Sequence, residues 1–472
     1  MQFEKRNLKR LLFFKKKYSI IFITVFYIKE VSFLRGKTFK GGIHPPYNKQ
    51  YSKDIPIEVL DGAKEMFYPL SQHIGAFAEA VVNVGDKVFC GQVIAKAGGF
   101  VSSNIHSSVS GTVTAVKPYP HPNGTEVMTV VVENDGQYTT HESIKPNKPL
   151  EQLTPAEIVE IVKEAGIVGM GGATFPTYIK LMPPKDGEVD CVIVNGAECE
   201  PYLTSDHRVL VENTKGVLDG LKIAMKALGV TTGYVAIEDN KPDAIEIMKT
   251  FAQEYDGITV VPLKTKYPQG SEKHIIKAVT GRTVLSGGLP SSVGCVVINT
   301  DTANAIATAV TTGMPLISRI VTVGGDAIEN NKNYKVRIGT PISFVIECAG
   351  GFKKDPSKII LGGPMMGTAV SNTDVPIIKG TGAILSFTDD ALIETASSKC
   401  MRCGKCVEAC PMFLQPFLLG AYGKKDDIDK MKELNVMDCI ECGACSYLCP
   451  GHQNPLQYIR VSKLKIGKAG KK

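Results

Sequence analysis

Long apolar runs and net charge are both scarce in this 472-residue chain. A helix that spans a bilayer needs about 20 consecutive apolar residues. The longest candidate, Tyr18–Ile28, falls well short, so no segment crosses a membrane alone. The formal charge of +7 resides at the ends: residues 1–40 carry 11 Lys/Arg against 2 Asp/Glu, and a second basic stretch runs from Arg460 to Lys472. The remaining 432 residues have a net charge of −2, which speaks against nucleic acid as a partner. Forty-six Gly and 27 Pro occur without collagen-like periodicity, and the hydrophobic and charged fractions, 43 % and 21 %, are those of a soluble globular protein. Composition thus excludes a fibrous, wholly disordered or polytopic membrane protein. At roughly 100–200 residues per domain, three or four domains are expected.

The basic Lys15–Lys17 triplet and the apolar run behind it have the layout of a signal peptide, but bulky Val31–Arg35 offers no small-x-small cleavage site. Three readings stay open for residues 1–35: a membrane-surface anchor, a signal sequence, or an upstream extension outside the folded protein. The last is preferred, because the cysteines described next disfavour export.

Thirteen cysteines are present, eight of them between Cys400 and Cys449. They read Cys400-x2-Cys403-x2-Cys406-x3-Cys410-Pro411, and then Cys439-x2-Cys442-x2-Cys445-x3-Cys449-Pro450, a duplication at a 39-residue offset. This is the spacing of a two-cluster bacterial ferredoxin, in which three thiolates of one loop hold a [4Fe–4S] cube and the fourth ligates the other cube. Cluster 1 is accordingly assigned Cys400, Cys403, Cys406 and Cys449, and cluster 2 Cys439, Cys442, Cys445 and Cys410. A pair of zinc sites is the alternative, but zinc usually takes two C-x2-C knuckles rather than three cysteines in series. Cys90, Cys191, Cys295 and Cys348 are read as small buried hydrophobes. Cys199 is set apart because it lies within a motif.

Between residues 154 and 320 apolar runs alternate with helical patterns. Thr154-Pro155-x-Glu157 is a helix start with a capping box, and Gly166 ends that helix. Strands are expected at Val189–Val194, Tyr234–Ile237, Ile258–Val261 and Cys295–Ile298, with a helix at Asp243–Glu254 between them. Near-continuous apolar strands separated by helices imply a parallel sheet covered on both faces, with ligands at the carboxyl ends of the strands. Four loops stand out. Gly169–Pro176, followed by Lys180, is Gly-rich but lacks the dinucleotide fingerprint's third Gly and preceding strand; its backbone could cradle phosphate, with Lys180 as the countercharge. Asn195–Pro201, Tyr267–Glu272 and Asn299–Asp301 each follow an expected strand. Any one of them alone is an ordinary polar loop; four together are not.

These loops resemble those of the flavoprotein of respiratory complex I, which binds FMN and NADH. The resemblance implies that Gly169, Gly171, Gly172, Lys180, Asn195, Glu198, Tyr267, Gly270, Asn299 and Thr300 surround FMN, and that Phe175, Glu200 and Glu272 face NADH. Cys199 replaces a different small residue of that family, and its role stays open. The two-cluster ending and the opening Phe39–Pro46 make the chain similar, over about residues 36–455, to the RnfC component of the Rnf complexes, membrane-bound ferredoxin:NAD oxidoreductases. The resemblance implies non-covalent FMN, two [4Fe–4S] clusters, NAD(H) as substrate, the other Rnf proteins as partners, ferredoxin as an indirect one, and a peripheral position on the cytoplasmic face of the cell membrane.

Val81–Val116 looks like a lipoyl-type barrel sandwich, yet Phe100 stands where such domains carry their acylated lysine, so a structural or docking domain is expected. Residues 318–390 read as β-rich, with strands at Ile320–Val323, Tyr334–Ile338, Ser343–Glu347 and Lys358–Leu361. The expected architecture is multidomain α/β and α+β: extension 1–35, barrel-sandwich hybrid 36–140, parallel α/β FMN/NADH domain 150–316, β-grasp domain 317–390, ferredoxin domain 391–455 and basic tail 456–472. Hydride chemistry and one-electron clusters need a flavin between them. A soluble flavin/iron–sulfur reductase acting on a corrinoid and a non-catalytic wiring protein are the rival readings.

Overall fold

Short strands broken by glycine turns build the first module. The computed structural model describes residues 37–182, 188–389 and 397–469; the extension at 1–35 lies outside them. After β1 (Glu58–Val59) come β2 (Glu65–Pro69), β3 (Glu79–Ala80), β4 (Lys87–Val88), β5 (Val93–Lys96), β6 (Ile105–His106), β7 (Gly111–Pro120) and β8 (Glu126–Asn134). They form two sheets, β2-β8-β7-β4 and β3-β5-β6. Met66, Tyr68, Ile94, Ile105, Val113 and Val130 fill the space between them, as a barrel sandwich requires. Phe100 stands 65 % exposed at the hairpin tip, its backbone carbonyl accepting from Tyr178 Oη.

The second module begins with α1 (Pro155–Glu164). Thr154 accepts from Glu157 N while Glu157 accepts from Thr154 N, and Gly166 turns the chain at φ 64°. Next are α2 (Thr177–Lys180), β9 (Cys191–Gly196), α3 (Ser205–Glu212), α4 (Thr214–Leu228), β10 (Thr232–Glu238), α5 (Pro242–Ala252), β11 (Ile258–Leu263), α6 (Glu272–Thr280), β12 (Cys295–Asn299) and α7 (Thr300–Thr312). The sheet is wholly parallel, in the order β11-β10-β9-β12. Val192, Val194, Val235 and Ile237 belong to the core beneath α4 and α7, whereas Ile193, Ala236 and Val261 join Ile275 and Ile276 of α6. Burial on both faces is why these strands carry no polar alternation.

A mixed sheet, β1-β14-β13-β17-β15-β16, forms the third module from β13 (Ser318–Gly324), β14 (Lys332–Arg337), β15 (Lys358–Leu361), β16 (Thr368–Val370) and β17 (Ala383–Phe387). The strand expected at Ser343–Glu347 is instead part of α8 (Ile342–Cys348). Ile342, Val345 and Ile346 are buried at helical spacing, a pattern that a five-residue apolar run cannot distinguish from a strand. Cys348, expected to be buried, is exposed at the end of this helix.

The last module repeats itself in its backbone. Helix α9 (Lys405–Ala409) recurs as α12 (Ala444–Tyr447), and Pro416 opens α10 (Pro416–Lys424) as Pro455 opens α13 (Pro455–Ala469), with α11 (Ile428–Glu433) between the halves. Left-handed φ values recur 39 residues apart at Arg402 and Glu441, Gly404 and Gly443, Phe413 and His452. The expected basic tail is therefore largely helix α13. Its Leu456, Ile459 and Ser462 are buried, while Arg460 and Lys463 reach back to Glu441 (3.2 and 2.7 Å) and Lys465 pairs with Asp426 (2.6 Å).

Candidate functional site

In the parallel sheet, chain order reverses between β9 and β12, because β9 continues to β10 on one side while β12 adds to the other. A crevice at the carboxyl end of such a pair is where open α/β sheets bind ligands. Asn195 and Asn299 stand opposite each other at that end. Asn195 donates to Gly270 O (2.7 Å), and Asn299 caps α7 by accepting from Asp301 N (2.9 Å) while donating to Asp206 Oδ2 (2.7 Å). Thr300 Oγ1 donates to Asn195 O (3.1 Å). The Gly-rich loop lies over this pair. A Cβ on Gly171 would fall 2.7 Å from Asn299 Nδ2, whereas one on Gly172 would meet nothing within 4 Å. The loop is closed by Gly169 N on Phe175 O (2.8 Å) and tied down by Met170 N on Thr302 Oγ1 (3.0 Å).

Three of the four sequence-selected loops thus meet directly, and Tyr267–Glu272 joins them through Gly270, whose Cβ position is 3.4 Å from Cys199 Sγ. Backbone donors, neutral amides and open space over Gly172 suit a phosphate-bearing planar ring system. Individual side chains are placed less simply. Lys180 is paired with Glu272 (2.7 Å) and also donates to Val297 O (3.0 Å), so its charge and that of Glu272 neutralise each other at the crevice wall. Glu200 turns away towards the third module, where its Oε2 accepts from Met365 N (3.0 Å). Burial pushes its carboxyl up to about 7. Glu198, at φ 46°, accepts from Asp206 N (2.7 Å), and its Oε2 is buried without a hydrogen-bond partner. Burial likewise raises Asp206 to about 7, with Glu198 and Asp301 adding their charge.

Tyr267 is the bridge to the cysteines. It is 1 % exposed, and its Oη donates to Cys442 O (2.7 Å). Beside it, the Gly41–Ile43 strap binds both modules: Gly42 N donates to Ala409 O (2.9 Å), and Ile43 and Tyr267 exchange backbone hydrogen bonds (2.8 and 2.9 Å). Only glycine fits at Gly42, which has φ 81° and a Cβ position 2.6 Å from Tyr267 O. Ile43, Tyr267, Ala409, Cys442 and Ala444 form one apolar cluster, with Cys199 and Met365 against it.

Cys410, Cys439, Cys442 and Cys445 line a single pocket walled by Leu414, Leu419, Leu456 and Ile459. Four thiols around one apolar pocket, three of them from a single C-x2-C-x2-C loop, are the donor set of a [4Fe–4S] cube. Burial drives the Cys442 and Cys445 thiols up to about 12, a cost that binding to iron would offset. Backbone amides of Leu414 and Glu441 donate to the sulfurs of Cys410 and Cys439 (both 3.4 Å). The other set, Cys400, Cys403, Cys406 and Cys449, lies nearer the surface, with Cys400 and Cys403 exposed. Ser398 N on Gly451 O (3.0 Å) brings the two segments of this set side by side.

Several contributing residues carry no motif. Lys49, 6 % exposed, threads from the N-terminal strap into the Glu198 loop, donating to the carbonyls of Glu198 (2.9 Å), Glu200 (3.0 Å) and Leu203. Arg319 joins Asp301 (3.0 Å) to Met170 O (3.2 Å), clamping the Gly-rich loop from the third module. Only the Gly41-Gly42 pair gave a sequence signal for this clamp-and-strap arrangement.

Comparison with known proteins agrees with these modules. Residues 37–137 match the RnfC barrel sandwich hybrid domain, 162–308 the Nuo51 FMN-binding domain, 320–369 the SLBB domain and 392–450 a 4Fe-4S dicluster domain. The chain is 50 % identical to the C component of the proton-translocating ferredoxin:NAD(+) oxidoreductase complex of Clostridium ljungdahlii, over 92 % of this chain and 95 % of that one. Identity is 48 % to the Na(+)-translocating counterpart of Acetobacterium woodii, over 91 % and 97 %, and 43 % to the C component of the ion-translocating oxidoreductase complex of Rhodobacter capsulatus, over 86 % and 78 %. A looser likeness, with TM-score 0.48 and 17 % identity over 69 % of this chain and 68 % of the other, is to an air-oxidized NAD+-reducing [NiFe]-hydrogenase. With two relatives near half identity over nearly their whole lengths, and with an FMN module and a dicluster module in one chain, this protein belongs to the RnfC family, the C components of the ion-translocating ferredoxin:NAD(+) oxidoreductase complexes.

Proposed function

We propose that electrons cross this chain along one line: the crevice between β9 and β12, then the buried cysteine pocket, then the exposed cysteine set. As a family member the chain is an oxidoreductase component of a larger assembly, with FMN and [4Fe–4S] clusters as cofactors and NAD(H) as substrate. When bound, FMN exchanges hydride with the nicotinamide and single electrons with a cluster. Gly169, Gly171, Gly172, Gly270, Asn195, Glu198, Asn299 and Thr300 hold the flavin, with Tyr267 behind it and Lys180, paired with Glu272, on the crevice wall. Phe175 and Glu272 make up the nucleotide side, and Glu200, buried against Met365 N of the third module, supports it. Cys410, Cys439, Cys442 and Cys445 hold the inner cluster, and Cys400, Cys403, Cys406 and Cys449 the outer one. The hydrogen bond from Tyr267 to the carbonyl of a cluster cysteine carries this reading, because it joins the flavin loop to the inner pocket without intervening solvent.

No helix among the described residues is long and apolar enough to cross a membrane, so ion movement falls to partner proteins. Since NAD(H) is a cytoplasmic pool, the chain sits peripherally on the cytoplasmic face. The domain limits are 36–140, 150–316, 317–390 and 391 onward, the last including α13.

The test is anaerobic purification followed by quantification of iron, sulfide and flavin, then NADH addition with an artificial one-electron acceptor. About eight irons for two cubes, one FMN and NADH-dependent acceptor reduction are expected. Full iron with no flavin binding and no NADH oxidation after FMN reconstitution would leave a wiring protein instead.

A further inference from the structure

At the opposite end of the flavin sheet lies a second pair of reactive groups. Cys191 opens β9 and Cys295 opens β12, in direct register across neighbouring parallel strands. Their sulfurs are 3.6 Å apart in a thiol–thiol hydrogen bond, and both residues are buried. Strands in one sheet lie about 4.8 Å apart, within the separation that a disulfide tolerates without backbone movement. Arg282 covers the pair. Its Nη1 donates to Cys295 Sγ (3.7 Å) and to Val293 O (2.8 Å), while the guanidinium forms a two-pronged ion pair with Asp190 (2.7 Å for each contact). The Arg282 and Asp190 side chains are 40 % and 55 % exposed, so a thin polar lid separates the thiols from water.

We propose that Cys191 and Cys295 are an oxidant-responsive dithiol, which a peroxide-class oxidant closes to a disulfide stapling the first residues of β9 to β12. The Cys295 thiolate attacks one peroxide oxygen, the O–O bond breaks, and the departing hydroxide takes a proton to become water. The Cys191 thiol then passes its proton to the adjacent Asp190 carboxylate and attacks the oxidised sulfur of Cys295. This forms the S–S bond, and the hydroxide that leaves Cys295 takes the proton back from Asp190 to become a second water. Two thiols lose two electrons and one peroxide gains them. Cys295 is the attacking member because the hydrogen bond from Cys191, with Arg282 beside it, brings its thiol down to about 7 despite burial, whereas Cys191 is pushed up. Asn195 and Asn299 lie four residues further along the same strands, about 13 Å away at 3.3 Å per residue. The staple therefore forms without touching the flavin crevice.

Anaerobic holoprotein is treated with a few equivalents of hydrogen peroxide, alkylated in denaturant, digested and mapped by mass spectrometry, with iron followed in parallel. A Cys191–Cys295 linked peptide is expected to accumulate before iron is lost, and to be absent from Cys295→Ser. In Arg282→Ala its formation at pH 7 should slow about tenfold, because the thiolate loses its neighbouring cation. Complete alkylation of both cysteines while iron is retained would overturn the proposal. So would a link that forms only after the clusters break down, or one whose rate ignores Arg282.

Discussion

The two halves of the ferredoxin unit share one local code and differ in almost everything around it. Both use C-x2-C-x2-C-x3-C-P, both place left-handed residues at matching positions, and both open a helix on a proline six residues after the last cysteine of their motif. Yet the half from Cys439 onward is packed on Tyr267, Ile43 and Met365, while Cys400 and Cys403 face solvent. The lesson is that loop sequence determines how a cluster is ligated, and docking determines where its electron goes. On the proposed electron path the buried set beside the flavin loop is the internal relay, and the exposed set is the terminus.

Ligand removal should separate the two clusters most clearly. Cys442→Ser is expected to reduce NADH-driven cluster reduction to background, because the outer cluster is reached through the inner one. Cys403→Ser should leave one NADH-reducible cluster signal in electron paramagnetic resonance. Equal losses in both variants would mean that the clusters are not in series.

Next in size is the pH dependence of the inner contact. Glu200 has its folded pKa raised by burial to about 7, above the ordinary value near 4.5, so the unfolded chain releases this proton first as pH rises. Its stabilising contribution is therefore complete below pH 4.5 and lost as pH climbs through 7. Glu200→Gln should raise thermal stability at pH 8 by up to about 3 kcal/mol and converge with the parent near pH 5. A gain that does not vary with pH would refute this assignment.

Tyr267→Phe removes the side-chain donor that the flavin loop supplies to Cys442 O. Leaving that carbonyl buried and unpaired costs about 1–3 kcal/mol, and the spectrum of the inner cluster should shift while that of the outer one does not. Smallest is the difference between two glycines at the same position of the repeat. Both lie near φ 80°, so alanine costs roughly 1–2 kcal/mol at either. A Cβ on Gly404 meets nothing within 4 Å, however, whereas one on Gly443 lies 3.2 Å from Met365 O. Gly443→Ala should thus melt lower than Gly404→Ala by a few degrees; equal melting would mean that the docked half is no tighter than the free one.

Much of this arrangement is legible in the sequence because it is local. Cysteine spacing, the capping box at Thr154 and the apolar strands of the parallel sheet are short-range patterns with one physical solution. The four loops can be picked out because strand ends in such sheets bind ligands. Their exact contacts cannot. Lys180 and Glu272, read as separate flavin and nucleotide groups, are an ion pair, and Glu200 faces the third module rather than the open crevice. Lys49 and Arg319 lie 149 and 18 residues away in sequence from Glu198 and Asp301 respectively, so no short window of sequence contains them together with their partners. Residues 343–347 read as a strand because five apolar-rich residues satisfy both periods. Residues 456–469 read as a tail because their charge conceals a narrow buried stripe.

By itself the sequence determined the iron–sulfur class, since thiolate spacing is set by bond lengths and turns within a dozen residues, whereas the flavin followed from the resemblance of four loops to a known family. It also determined the parallel sheet, because strands that are apolar on both faces have no other home. Tertiary structure alone decided which cysteine set packs against Tyr267, which acids are buried, and which thiols meet across β9 and β12. Those outcomes depend on modules packing against one another, and packing brings together groups whose separation along the chain carries no information about their separation in space.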